Sequence, residues 1–113
     1  MEQSDAIAAL AALAQENRLD VFRLLVQAGP EGLPAGNVAS ALKLAPNTLS
    51  FHFDKLRHAG LVTVRREGRL MIYAAQYETM NELLAYLTEN CCGGAANQVV
   101  CKPTRAKRAK TSA

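Results

Sequence analysis

All three cysteines of this 113-residue chain, Cys91, Cys92 and Cys101, fall within one eleven-residue stretch near its C-terminus. Cys91 and Cys92 are adjacent, and Gly93 and Gly94 follow them. Neighbouring side chains on a rigid α-helix splay by about 100°. A glycine pair relieves that constraint and lets two thiols swing onto one soft ion. The spacer of eight residues is long enough to fold Cys101 back. Three thiolates suit As(III) or Sb(III), whose pyramidal site has a lone pair in the fourth direction. Zinc prefers four ligands, and the chain offers only these three thiols. Lys102 beside Cys101 favours its thiolate. Two other readings stand beside this one: a thiol redox switch, or incidental thiols with no role.

A second set of residues has the chemistry of nucleic-acid recognition. Asn47, Thr48, Ser50 and His52 carry donors and acceptors at the start of a predicted helix, a place from which base edges in a major groove are reached. Lys55 and Arg57 follow, suited to phosphates. Arg65, Arg66 and Arg69 gather around a predicted hairpin tip, suited to phosphates or an adjacent minor groove. Each alone is more often plain surface; the joint pattern is the signal. His58 reads as a surface histidine, and Arg18, among core positions, as a structural ion-pairing residue. The charge agrees. The formal net charge of +3 divides into −3 over residues 1–42, +4 over 43–69, −3 over 70–101 and +5 over 102–113. Net positive charge is thus confined to one internal block and one tail, as a phosphate-binding surface needs.

Positioning these groups requires a run of short elements. Ser4 is placed to cap a first helix on which Ile7, Leu10, Leu13 and Ala14 recur at helical spacing. Residues 17–28 form a second, with Leu19, Phe22, Leu25 and Val26 on one face, ended by Gly29 and Pro30. Pro34 starts a short third helix through Leu42. Leu44, Ala45 and Pro46 make a break, and a fourth helix runs from Pro46 to about Ala59 and stops at Gly60. The period then becomes two over residues 61–66 and 69–75, with Glu67 and Gly68 as the turn. A fifth helix runs from about Tyr77 to Asn90, with Met80, Leu83, Leu84 and Leu87 on one face. Residues 1–92 therefore read as one domain, mainly α with a β-hairpin: five helices plus a wing, in winged helix-turn-helix order. Residues 93–113 read as a flexible basic tail containing Cys101. No apolar run approaches the roughly 20 residues of a membrane span. The acidic start lacks the basic region of a secretory signal, so a cytoplasmic location is expected.

Residues 16–75 resemble the ArsR (SmtB) family of metal- and metalloid-responsive repressors. The resemblance rests on the segments 16–19, 46–53 and 56–62, on the wing 65–69 and on Tyr73. It extends over about residues 5–90. It implies a homodimer joined by the first and last helices, through Ile7, Leu10, Leu13, Met80, Leu83, Leu84 and Leu87. It also implies an inverted-repeat operator in double-stranded DNA and repression relieved by an inducer. Family members often begin the recognition helix with Ser or Thr; Ala45 stands there here, a loss of about 1 kcal/mol that Pro46 partly offsets. The third helix lacks the cysteines of the arsenic-sensing motif found there in some members. The last helix has Glu78, Glu82 and Glu89 but no histidine for a zinc or nickel site. Some arsenic-responsive members carry a cysteine pair beyond the last helix and a third cysteine downstream. The resemblance therefore assigns As(III) or Sb(III), as inducer, to Cys91, Cys92 and Cys101, with no cofactor required for folding. An enzyme is not expected: a thiol-dependent arsenate reductase would need a CxxC pair on a βαβ pattern or a phosphate-cradling loop, and neither is present. A winged-helix protein-interaction module remains a further alternative, separable by the absence of salt-sensitive DNA binding.

Overall fold

The computed structural model of the chain describes residues 1–94. Helix α1 (Gln3–Leu13) is capped two residues earlier than expected: Glu2, not Ser4, is the N-cap, and its N–H donates to the Asp5 carboxylate at 3.3 Å. The helix does not bury its large apolar residues. Ala6, Ala9 and Ala12 face inward, while Ile7 and Leu10 remain 57% and 43% exposed. Small side chains at i, i+3 and i+6 let α1 lie close against its neighbours. Helix α2 (Glu16–Ala28) is capped by Gln15, whose side chain accepts the Arg18 N–H at 2.9 Å. It buries Val21, Phe22 and Leu25 and leaves Leu19 outside.

A two-residue strand, β1 (Leu33–Pro34), was not expected from the sequence. It pairs antiparallel with the later strand β3 (Leu70–Ala75), Leu33 opposite Tyr73 and Pro34 opposite Ile72. Proline is tolerated because β1 is an edge. Gly32 is required just before it: φ is +78°, and a Cβ there would collide with the Tyr73 carbonyl. Pro34 then serves as N-cap, rather than first residue, of α3 (Ala35–Leu42).

Helix α4 (Pro46–His58) has Ala45 as an N-cap with no side-chain bond and Pro46 in its first turn. Strand β2 (Val62–Glu67) pairs with β3 from Val62–Ala75 to Glu67–Leu70, giving the sheet order β1-β3-β2. The hairpin turn is one residue later than expected, Gly68 and Arg69, with Gly68 at φ +62° where a Gly-first two-residue turn needs it. Helix α5 (Tyr77–Leu87) stops short of Asn90, and the Thr88 hydroxyl donates to the Leu84 carbonyl at 2.8 Å. A last turn, α6 (Cys91–Gly94), is broken internally by left-handed Cys92 and Gly93. The architecture is thus a winged helix-turn-helix whose described residues form six helices, one more than expected, and three strands. Val21, Leu25, Val38, Phe53, Leu56 and Leu61 form the centre of one core.

Candidate nucleic-acid interface

Helix α4 is anchored by one face. Leu49, Phe53 and Leu56 are buried in the core. Phe53 also stacks on Tyr73 of β3, with ring centroids 3.6 Å apart and planes within 2°. That stack joins the helix to the wing. Burial, with the nearby Asp54 carboxylate, pushes the Tyr73 hydroxyl above its ordinary value.

The opposite face presents Asn47, Thr48 and Ser50, all exposed, as the sequence suggested. His52 is not with them. It is 5% exposed, and its Nδ1 has no hydrogen-bond partner. Position 52 follows Leu49 by three residues and precedes Leu56 by four, so the helix turns it toward the core. Burial, and then the charge of Arg18, lowers its pKa below the usual 6.5. The expected base contact from His52 is therefore corrected: its ring is part of the packed face. The outward residue not anticipated from the sequence is Phe51, 54% exposed, with the Lys55 ammonium 5.2 Å from its ring centre. Its place four residues after Asn47 was the available signal.

The cations differ in readiness. Arg57 lies 3.7 Å from Asp54, both exposed. Arg65 Nε donates to Glu67 at 2.7 Å, and Arg66 Nε donates to the Gly68 carbonyl at 3.2 Å. Arg69 sits exposed in the turn itself. His58 is exposed and its Nδ1 lies 2.7 Å from the Asp54 carbonyl. Arg18 is structural, but through a backbone bond rather than the expected ion pair: its Nε donates to the Ala12 carbonyl at 2.7 Å, tying α2 to the end of α1.

The expected dimer stripe is divided by the structure. Ile7, Leu10, Leu84 and Leu87 are exposed. Leu13 and Met80 are partly buried against the core, and Leu83 is fully part of it, so these three stabilise the protomer first. At the C-terminal end, the sulfurs of Cys91 and Cys92 are 3.5 Å apart, and Cys92 is disulfide-bonded. Cys101 and the basic tail 102–113 lie outside the described residues. Among the described residues no helix is long and apolar enough to cross a membrane.

A short helix, a tight turn, a second helix anchored on one side and polar on the other, and a basic hairpin stacked against it define a winged helix-turn-helix DNA-binding protein. A helix-turn-helix domain family matches residues 13–65. The chain is 34% identical over 82 residues to the transcriptional activator HlyU of Vibrio cholerae, covering 70% of this chain and 73% of HlyU. A solved structure of reduced HlyU superposes with a TM-score of 0.60, at 34% identity, over 74% of this chain and 88% of that one. The HTH-type transcriptional regulator YceK of Bacillus subtilis is 34% identical over 73 residues, 65% of this chain and 72% of YceK. A structure described as a possible transcriptional regulator for arsenical resistance aligns at 28% identity and a TM-score of 0.62, over 70% of this chain and 79% of that one. The chain belongs to the family of helix-turn-helix transcriptional regulators that includes HlyU and YceK. It is a DNA-binding regulator, not an enzyme.

Proposed function

We propose that the protein is a homodimeric repressor that binds an inverted-repeat operator and is released from it by trivalent arsenic or antimony (arsenite, methylarsenite or antimonite) held by Cys91, Cys92 and Cys101. The observation that carries the inducer assignment is the convergence of Cys91 and Cys92. Left-handed Cys92 and Gly93 fold the chain so that adjacent sulfurs stand 3.5 Å apart. Two thiolates each about 2.3 Å from one thiophilic centre stand roughly 3.5–3.8 Å from each other. The spacing seen with Cys92 in its disulfide is within the range that one ion bridges, and reduction would free the Cys92 thiolate to bind it, with Cys101 as the third ligand. The partial similarity to a possible regulator for arsenical resistance supports the same reading.

Three residues separate the pair from the end of α5, whose Leu84 and Leu87 form half of the exposed apolar stripe. Closing a ring of thiolates there alters how the α5 helices of two protomers pack, and with them the spacing of two α4 helices about 34 Å apart. A hundredfold loss of operator affinity requires about 2.7 kcal/mol of coupling. A second reading has its own observation: Cys92 is already disulfide-bonded, so oxidation of the same thiols is a competing trigger.

Titration of the protein–DNA complex with arsenite, and separately with peroxide, distinguishes the two. Arsenite releases the reduced wild type, while Cys91→Ser and Cys92→Ser keep DNA binding and lose the response. A Cys91→Ser/Cys92→Ser double variant still released by arsenite would refute the inducer site. Release by peroxide alone would favour the redox switch.

A further inference from the structure

Phe51 is an anomaly on the surface that faces DNA. The other exposed residues of α4 are polar or charged beyond Pro46: Asn47, Thr48, Ser50, Asp54, Lys55, Arg57 and His58. Phe51 stands among them more than half exposed, unlike the buried Leu49 and Phe53 of the same helix. Helical spacing sets it one turn beyond Asn47 and one turn before Lys55, on a line down the outer face. Its ring is held from two sides. His52 meets it edge-on, with centroids 5.7 Å apart and planes 64° apart, and the Lys55 ammonium lies 5.2 Å from its centre. An exposed aromatic costs solubility, and here it is braced where the helix would enter a major groove.

We infer that Phe51 is a specificity residue that reads the C5-methyl group of a thymine. In the major groove the thymine methyl is the apolar feature of the base edges, and an apolar side chain is its complement. A phenyl ring offers no hydrogen bond to any base, so its preference is for that methyl and against the polar edge of cytosine. Lys55 beside it is long enough to take a neighbouring phosphate, which fixes the ring's depth in the groove. Buried His52 acquires a role in this arrangement: it props the ring from behind instead of reaching DNA itself.

The inference rests on α4 being the helix that enters the groove, and its test separates the two. Full-length wild type and Phe51→Ala are each used to select from a pool of random-sequence duplexes, and the best wild-type duplex is then remade with deoxyuridine at one thymine at a time. Binding that is salt-sensitive but indifferent to sequence in both proteins would overturn the helix placement itself. With the placement intact, one thymine per half-site responds. Deoxyuridine there weakens wild type about fourfold, the value of one buried methyl, and about fifteenfold when both half-sites are changed. Phe51→Ala binds the thymine and deoxyuridine duplexes alike, and Phe51→Leu keeps part of the discrimination. Because the side chain is exposed, both variants should fold, which a circular dichroism spectrum checks. A wild-type protein insensitive to deoxyuridine at every position would overturn the assignment. So would an equal loss in wild type and Phe51→Ala.

Discussion

Helices α1 and α4 have similar lengths, but eight of the eleven residues of α1 are apolar against four of the thirteen of α4, and the fold uses them in opposite ways. Helix α4 buries its largest inward side chains, Phe53 and Leu56, and shows water a largely polar face. Helix α1 buries three alanines and shows water Ile7 and Leu10. A periodic apolar stripe thus marks a face that will be covered without saying by what. In α4 the cover is the chain itself. In α1 the alanine face satisfies the chain, and the larger stripe is left over, as are Leu84 and Leu87 of α5. That surplus supports a second copy as the partner.

The comparison breaks most visibly by substitution on each side of it. Phe53→Ala removes both core packing and the stack on Tyr73, and should lower unfolding free energy by about 3–5 kcal/mol, read by thermal or urea denaturation. Leu10→Glu combined with Leu84→Glu should keep the helical circular dichroism signal but move the protein from dimer to monomer in sedimentation at micromolar concentration. A wild type already monomeric there, or a double variant that stays dimeric, would show that the outer face of α1 has another use.

The same contrast explains what is legible in the sequence. The order of helices, the hairpin and the cores of α2 and α4 follow from period and from breakers such as Gly29, Pro46 and Gly60, because those signals are local. What escapes depends on neighbours distant in sequence. Strand β1 exists only because β3 offers it a partner, and two residues carry no period of their own. Leu83 sits beside Leu84 in the expected dimer stripe, but the rotation of α5 on the core, set by its packing, sends one inward and the other out. His52 has the chemical type of a base contact, although its distance from Leu49 and Leu56 already places it on the buried face. The thiol pair is legible as chemistry, and its left-handed turn is not.

His52 sharpens the comparison at intermediate scale, since it is a polar group on the apolar side of α4. Its folded pKa lies below the unfolded value near 6.5, chiefly from burial and secondarily from Arg18. The unfolded chain therefore binds a proton more readily than the folded one. Stability is fully present above about pH 6.5 and is lost as pH falls from there through the folded value. Denaturation midpoints measured between pH 8 and 5 should fall toward acid, and His52→Gln should flatten that part of the profile. An unchanged slope in the variant would assign the acid sensitivity to other groups.

The smallest effect concerns the wing, where neither burial nor packing decides. Arg65 is held by Glu67 at 2.7 Å, yet both side chains are about half exposed, so the pair adds little to folding stability. Its consequence is for DNA. A guanidinium engaged by a carboxylate has to be released, or shared, before it meets a phosphate, and the carboxylate itself repels the backbone. Glu67→Gln should leave the melting temperature nearly unchanged while raising DNA affinity a few-fold at low salt. Arg65→Ala should weaken all duplexes alike and reduce the steepness of log affinity against log salt by about 0.9 for each phosphate it no longer neutralises. Because Glu67 lies on the hairpin and not on α4, neither change should alter which bases are preferred. A shift in selected sequence with Glu67→Gln would mean that the wing reads bases as well as phosphates, and that the division between a reading helix and a clamping hairpin is less complete than their geometry implies.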